Sequence, residues 1–333
     1  MIADIVYRTA PPFMNRTILR ATVRFLLIGA GLVFAAVSCV AQDLVEDPVE
    51  ACAATHLKQT VIVEGYTFKT YRSGDYDANN CLKVIENGKV IFRRTMAGMQ
   101  GYTLGQPGDK ERNVPGIPNG TDITGRGRPD MIVSFWSGGA HCCSFLYIFE
   151  LEPKFRLIQT LNMLETDQPY FAELDEDRHY YLIAEDWTFA DWTGRLVSAP
   201  RAPIVLKPVD SENGIEFHLA LDKMRQSAPE DSELDGDLQT IKKCLEEKCD
   251  VDAVDDPLWG DVMRLIYSGR SDLAWAFLDK AGPEVEQSLV FFCSLLKASP
   301  YWPDLAPGIQ NLPPTCAKAK PDRKRAQLPK SRF

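Results

Sequence analysis

Near residue 220 the hydrophobic period of this chain changes, and no other feature constrains the fold as much. Before that point apolar and polar side chains alternate, the period of a strand with one buried face. Beyond it apolar residues recur every three or four positions, the period of a helix. "TVIVEGYTFKTY" (60–71) alternates and is rich in β-branched and aromatic residues. "CLKVIENGKVIFRRT" (81–95) is a hairpin, because Asn87-Gly88 supplies the positive φ angles of a two-residue turn. "DMIVSFW", "CSFLYIFEL", "KFRLIQTL", "YYLIAED", "APIVLKPV" and, after Asn213-Gly214, "IEFHLAL" are further strands. A Gly/Pro-rich loop, "GQPGDKERNVPGIPNG" (105–120), interrupts them.

The polar stretch "SAPEDSELDGD" (227–237) reads as a linker. After it, Leu238, Ile241 and Leu245 share a helical face. "DPLWGDVMRLIYSG" predicts a helix entered at Asp256-Pro257 and ended at Gly269. "SDLAWAFLDKAG" predicts one capped by Ser271 and stopped at Gly282-Pro283, and "PEVEQSLVFFCSLLKASP" closes the set. A tetratricopeptide-like hairpin is readable around Gly269, Ala274, Leu278 and Ala281, but it does not recur. The fold class is therefore α+β: a β-rich domain of antiparallel hairpins at 56–222, a linker at 223–236 and a small helical domain at 237–305. Residues 306–333 are expected to be a Pro-containing, basic, disordered tail.

The first residues carry an address instead of a fold. Arg16, Arg20 and Arg24 precede "FLLIGAGLVFAAV", an apolar run that suits a signal-peptide core and is short for a bilayer span. Cys39 and Ala41 occupy the small positions of a cleavage site after Ala41, leaving 42–55 as an N-terminal linker. An alternative reads "AVSC" as a lipobox with Cys39 acylated, and either Met1 or Met14 can start the chain. Export suits the remaining cysteines, Cys52, Cys81, Cys142, Cys143, Cys244, Cys249, Cys293 and Cys316, an even set fit for disulfides. Cys244 with Cys249 and Cys293 with Cys316 are the pairs suggested by proximity. Cys142 and Cys143 either bond each other or reach outward to Cys52 and Cys81.

Charge narrows the partners. The leader holds four basic residues and one acid, and the tail from Ala317 holds seven and one. Removing both from a chain with 37 basic and 46 acidic residues leaves a body near −18. Such a body does not suit nucleic acid. An unknown protein or a carbohydrate is the expected ligand, and a membrane only if Cys39 is lipidated.

"DITGRGRPD" (122–130) is the segment richest in site chemistry. A calcium loop supplies oxygens from alternate positions of a Gly-containing turn and closes with a carboxylate. Here those positions are Asp122, Thr124 and Asp130, with Gly125 and Gly127 permitting the turn. The stretch resembles an FG-GAP (integrin-type, VCBS-like) repeat, and the following "SGGAHCC" resembles a subgroup of exported bacterial proteins of unknown role. A second unit is similar at "ELDEDRHYYLIAEDWTFADW", offering Glu173, Asp175 and Asp177. The resemblance spans roughly 110–210. It implies propeller-blade-like hairpins in an extracytoplasmic protein, with calcium where a loop is intact.

Neither loop is intact. Arg126 replaces the central acid of the first, and a guanidinium beside a dication repels it. Arg126 is expected to stand in for the cation by pairing with Asp122 or Asp130. In the second loop Tyr181 sits where the closing acid belongs. Both are read as turns kept for the fold, so no cofactor is expected.

Other chemistry is sparse. His141 and Cys142 are neighbours on a strand and point apart, which disfavours a Cys-His nucleophile. Pairs such as Asp175/Asp177 and Glu185/Asp186 suit glycoside hydrolysis in principle, but an acidic body produces such pairs by chance. Trp187, Phe189 and Trp192 are candidates for stacking on a ligand. The sequence carries no phosphate loop, Ser elbow or HExxH motif. It therefore points to a non-catalytic exported binding protein. A secreted hydrolase with a cleft between the two domains, or a lipid-anchored envelope accessory protein, are the alternatives.

Overall fold

Strand-period sequence becomes three antiparallel meanders of four strands each. The computed structural model describes Cys52 and residues 56–74, 78–138, 143–164, 169–175, 179–190, 199–212, 214–225, 227–229, 231–247, 249 and 251–322, without the side chains of 164, 231, 251–256, 284 and 287. The leader, Cys39, His141, Cys142, Asp177, Trp192 and Asn213 lie outside the described residues.

The first meander contains β1 (His56–Val63), β2 (Tyr66–Arg72), β3 (Asn79–Glu86) and β4 (Lys89–Ala97). Its third connection is the expected turn, with Asn87 at φ 49° and Gly88 at φ 78°. The middle meander contains β5 (Gly101–Leu104), β6 (Asp130–Trp136), β7 (Ser144–Glu150) and β8 (Arg156–Leu164). The third contains β9 (Tyr170–Glu173), β10 (Tyr180–Asp186), β11 (Ala202–Ser211) and β12 (Gly214–Leu219).

The central strands β6 and β7 of the middle meander are buried on both faces along most of their length, which explains why "DMIVSFW" and "SFLYIFE" are apolar at almost every position. Met131, Val133, Phe135, Tyr147 and Phe149 face the first meander, where they meet Phe68, Val84 and Leu82. Phe149 sits edge-on to Phe68 at 5.7 Å and to Phe92 at 5.1 Å. Each such ring, fully buried, contributes about 2 kcal/mol. Ile132, Leu146 and Ile148 face the other way, into a core shared with Phe171, Leu182, Ile204 and Leu206 of the third meander and with the helices.

Helices follow from α1 (Leu221–Met224) through α2 (Asp231–Glu247), α3 (Val251–Tyr267), α4 (Ser271–Ala281), α5 (Glu286–Leu296) and α6 (Trp302–Leu305) to α7 (Pro314–Lys318). Several expected boundaries move. Helix α2 starts inside the polar stretch taken for a linker, at Asp231. Helix α3 starts at Val251, so Pro257 lies within it, at the loss of one main-chain hydrogen bond. Ser271 is the first helical residue and not the cap, and its Oγ accepts the Gln310 N–H at 2.9 Å. The end of α3 agrees with the reading: Gly269 N–H bonds Ile266 O and Arg270 N–H bonds Leu265 O, the paired closure of a glycine C-cap.

The tail is ordered further than expected. Cys316 is buried, Lys297 Nζ donates to the carbonyls of Ala317 and Ala319, and Trp275 Nε1 donates to Gln310 O at 2.9 Å. Asp322 N–H donates to Ser294 O at 3.0 Å, which ties the chain down as far as residue 322. The helices share the apolar cluster of the third meander. Asp186 pins the junction. Its Oδ1 accepts Thr188 N–H at 2.8 Å and Thr188 Oγ1 at 2.6 Å, while Oδ2 accepts the hydroxyls of Tyr267 and, at 2.8 Å, Ser299.

Disulfides join Cys52–Cys81, Cys244–Cys249 and Cys293–Cys316, with Cα separations of 5.7, 4.9 and 5.1 Å, inside the ordinary range. The two proximity pairs are therefore present. The outward pairing of Cys142 and Cys143 to Cys52 and Cys81 is not, because those two cysteines bond each other. Cys143 is also disulfide-bonded. Among the described residues no helix is long and apolar enough to cross a membrane.

Candidate functional site

Asp130 opens β6 directly opposite Glu150, the last residue of β7. Its Oδ2 accepts three hydrogen bonds, from Ile123 N–H at 3.0 Å, Thr124 N–H at 2.9 Å and Thr124 Oγ1 at 2.9 Å. Its Oδ1 is buried without a partner. Burial pushes the Asp130 carboxyl up to about 6, against the pull of the Thr124 and Ile123 donors, and the nearby Asp122 charge adds to the rise. Asp122 is equally committed: Oδ1 accepts Arg126 N–H at 3.0 Å and Oδ2 accepts Gly127 N–H at 2.7 Å. Gly125 and Gly127 both take φ 71°, which turns these amides inward.

The pairing expected of Arg126 is corrected here. With both loop aspartates already bound by backbone N–H groups, its guanidinium leaves the loop for Glu150 at 3.0 Å and Asp210 at 3.4 Å. Glu150 is wholly buried and also receives Arg128 at 3.0 Å and Arg156 at 2.6 Å. A calcium ion does not fit this arrangement. Both oxygens of Asp122 and Oδ2 of Asp130 are already taken by donors of the loop itself. Among the described residues, no three His, Cys, Asp or Glu side chains are grouped to hold a metal.

In the second loop Glu173 is exposed and Asp175 is held by a side-chain cation. Lys223 Nζ, from α1, lies 2.7 Å from Asp175 Oδ1, and the Tyr181 hydroxyl donates to Oδ2 at 3.1 Å. The hydrogen bond to Asp175 is the main reason the Lys223 ammonium is held above its ordinary pKa. The cation paired with this loop is thus a lysine some fifty positions away in sequence, whereas Arg126 pairs outside its own loop. The two loops are neighbours. Thr124, Gly125 and Arg126 line a shallow cleft of about 360 Å³ with His179, Tyr180 and Lys207.

A larger cleft, about 680 Å³, opens over the middle meander. Strand alternation supplies its floor: Ile132, Ser134 and Leu146 point into it, and Trp136, on the same face of β6, stands 38 % exposed. Tyr170 adds aromatic surface. The Gly/Pro-rich loop folds back on itself through bridges Gln106↔Ile117 and Asp109↔Val114 to make the wall. Gln106 fastens that wall to β9: its Nε2 donates to Phe171 O and its Oε1 accepts Phe171 N–H, both at 2.7 Å. On the rim, Asp109 is occupied by Arg112 Nε at 2.7 Å and by the Glu111 and Arg112 N–H groups. Arg112 is the main reason its carboxyl is held below the usual range. The cleft therefore offers stacking surface and hydrogen bonds, with its best-placed acid already tied up.

Of the predicted aromatics, Phe189 is wholly buried and stacks on Phe292 at 5.1 Å, and Phe292 stacks on Trp259 at 4.7 Å. Trp187 is buried beneath the Arg201 guanidinium, 5.0 Å from the ring centroid. Phe189 thus belongs to the core shared with the helices, and neither ring is open to a ligand. Sequence reasoning missed Trp136 and Gln106. Trp136 was legible as the residue extending the Ile132–Ser134 face past the end of the apolar run. Gln106 carried no signal beyond its place in the long loop. No family model, curated protein or solved structure matches this chain.

Proposed function

We propose that this chain is an exported, non-catalytic binding protein and that the cleft over β5–β7 seats a carbohydrate ligand. The observation that carries the reading is Trp136, a large aromatic face left open at the mouth of a walled cleft beside Tyr170 and Ser134. Sugars combine apolar ring faces with hydroxyl edges, which match such a mixture of aromatic and polar lining. The apolar leader and three described disulfides are consistent with export. The four-stranded meanders suit the blade-like hairpins of an FG-GAP-type protein, with both loops kept as turns.

Intrinsic tryptophan fluorescence, titrated with a panel of neutral oligosaccharides, tests the reading. A saturable change is expected, lost in Trp136→Ala without a change in melting temperature. Absence of any response across the panel, or an equal response in the variant, refutes it.

A further inference from the structure

The outer face of the first meander carries a line of cations. Lys69 stands directly opposite Lys83, and Lys83 directly opposite Arg93, in the register of β2, β3 and β4. Like charges placed this way across a sheet are destabilising. None of the three has an ion pair with an acidic side chain among the described residues. Arg93 Nε is buried without a hydrogen-bond partner. Lys83 lies over the Tyr71 ring, 4.7 Å from its centroid, and burial with Arg93 beside it pushes the Lys83 ammonium down. The nearest strand acid, Glu86, bonds to the Tyr66 hydroxyl on the opposite, inward face.

This concentration of positive charge runs against the rest of the molecule. Residues 56–97 hold seven basic and four acidic residues, in a body near −18. Along the adjacent row, Ile62, Thr67, Ile85 and Val90 face the same way, and Ile62 and Val90 are 73 % and 45 % exposed. A straight apolar strip therefore runs beside a straight cationic one.

We propose that this face binds a linear acidic polysaccharide, with its anionic groups along Lys69–Lys83–Arg93 and its sugar rings against Ile62 and Val90. The shape of the site selects the ligand class. Strands lie about 4.8 Å apart, so the three charges form a line across the sheet and do not converge on one point. A single phosphate would engage only one or two of them. A chain bearing carboxylates or sulfates at regular intervals engages all three, and its apolar ring faces cover the adjoining strip. The inference does not depend on the cleft reading.

The test uses the full chain, with heparin as the sulfated probe, polygalacturonate as the carboxylated probe and dextran as the neutral control, measured by calorimetry over a salt series. Heparin or polygalacturonate should bind and dextran should not. The triple variant Lys69→Ala/Lys83→Ala/Arg93→Ala should weaken binding at least about tenfold and flatten the salt dependence by about three counterions. Its melting temperature should hold or rise, since repulsion is removed, and the single variant Lys83→Ala should show a smaller loss of the same kind. Equal binding by the triple variant, or no binding of either acidic polymer, overturns the proposal. Tighter binding of poly-glutamate or of phosphatidylglycerol vesicles than of both polysaccharides also overturns it, assigning the face to an acidic peptide or to a membrane. If polymer binding appears only after Glu46→Gln/Asp47→Asn/Glu50→Gln, the acidic segment preceding Cys52 is the occupant, and the proposal fails.

Discussion

Asp130 and Asp186 are both carboxylates buried at the end of a strand, and they are treated differently. Asp186 spreads four donors over its two oxygens and ties β10 to α3 and to the turn after α5. Asp130 gathers three donors on one oxygen, all from its own loop, and leaves the other bare. One acid joins layers that are far apart in sequence; the other shapes a local turn. The contrast shows that a buried charge is costly or useful according to where its donors come from and whether both oxygens receive them.

The largest effect expected from this contrast is at Asp186. Asp186→Ala strands the buried hydroxyls of Tyr267 and Ser299 and should cost about 3–5 kcal/mol in chemical denaturation, releasing the helices from the sheet. A loss below about 1 kcal/mol breaks the comparison at its stronger end.

Asp130 comes next. Asp130→Ala should cost about 2 kcal/mol by freeing the loop amides. Asp130→Asn keeps an accepting oxygen and should be nearly neutral. The pH dependence sharpens the point. A carboxyl raised to about 6 when folded binds protons more tightly than in the unfolded chain, so its contribution is complete below about 4 and lost as pH rises through 6. Melting temperature should therefore fall over that window in the native chain, and fall less in Asp130→Asn. Identical slopes in the two proteins would show that Asp130 is not strained.

A smaller effect separates the two loops. Lys223→Met removes the ammonium from Asp175 and should lower the melting temperature by a degree or two in low salt, with less effect in high salt. Millimolar calcium should move neither the native protein nor this variant. A calcium-dependent rise in Lys223→Met alone would mean that the lysine had displaced a metal.

The smallest is at His218, which bonds Asp304 at 2.9 Å across the β12–α6 contact. That bond is the main reason its imidazolium is held above the ordinary pKa. The stabilisation is full below about 6.5 and fades as pH rises through the folded value. His218→Gln should remove this slight alkaline loss and leave the acid limb unchanged, as read by melting curves from pH 6 to 9.

Much of the sheet was legible because period and turn chemistry agreed. Asn87-Gly88 fixed one register, and β6 and β7 were read as strands, although their burial on both faces was not. The helix ends were less legible. Ser271 looked like a cap, but a distant amide, Gln310, claimed its hydroxyl. Asp186 looked like any acid in an acidic body, since nothing local in "AEDWTF" points to Tyr267 or Ser299. Arg126 stood out in the sequence as the residue out of place in a metal loop. Its partner Glu150 was hidden because it is set by cross-strand register and not by spacing. The cleft was hidden for a related reason, since its wall is a loop whose position depends on one glutamine.

That glutamine has a further consequence. By offering a carbonyl and an amide to both main-chain groups of Phe171, Gln106 imitates the neighbouring strand that β9 lacks. An open rim of this kind invites other chains to add on and build polymers. One side chain blocks that route, and it does so by anchoring the arch that borders the cleft, so resistance to self-association and the shape of the proposed binding surface rest on the same two hydrogen bonds.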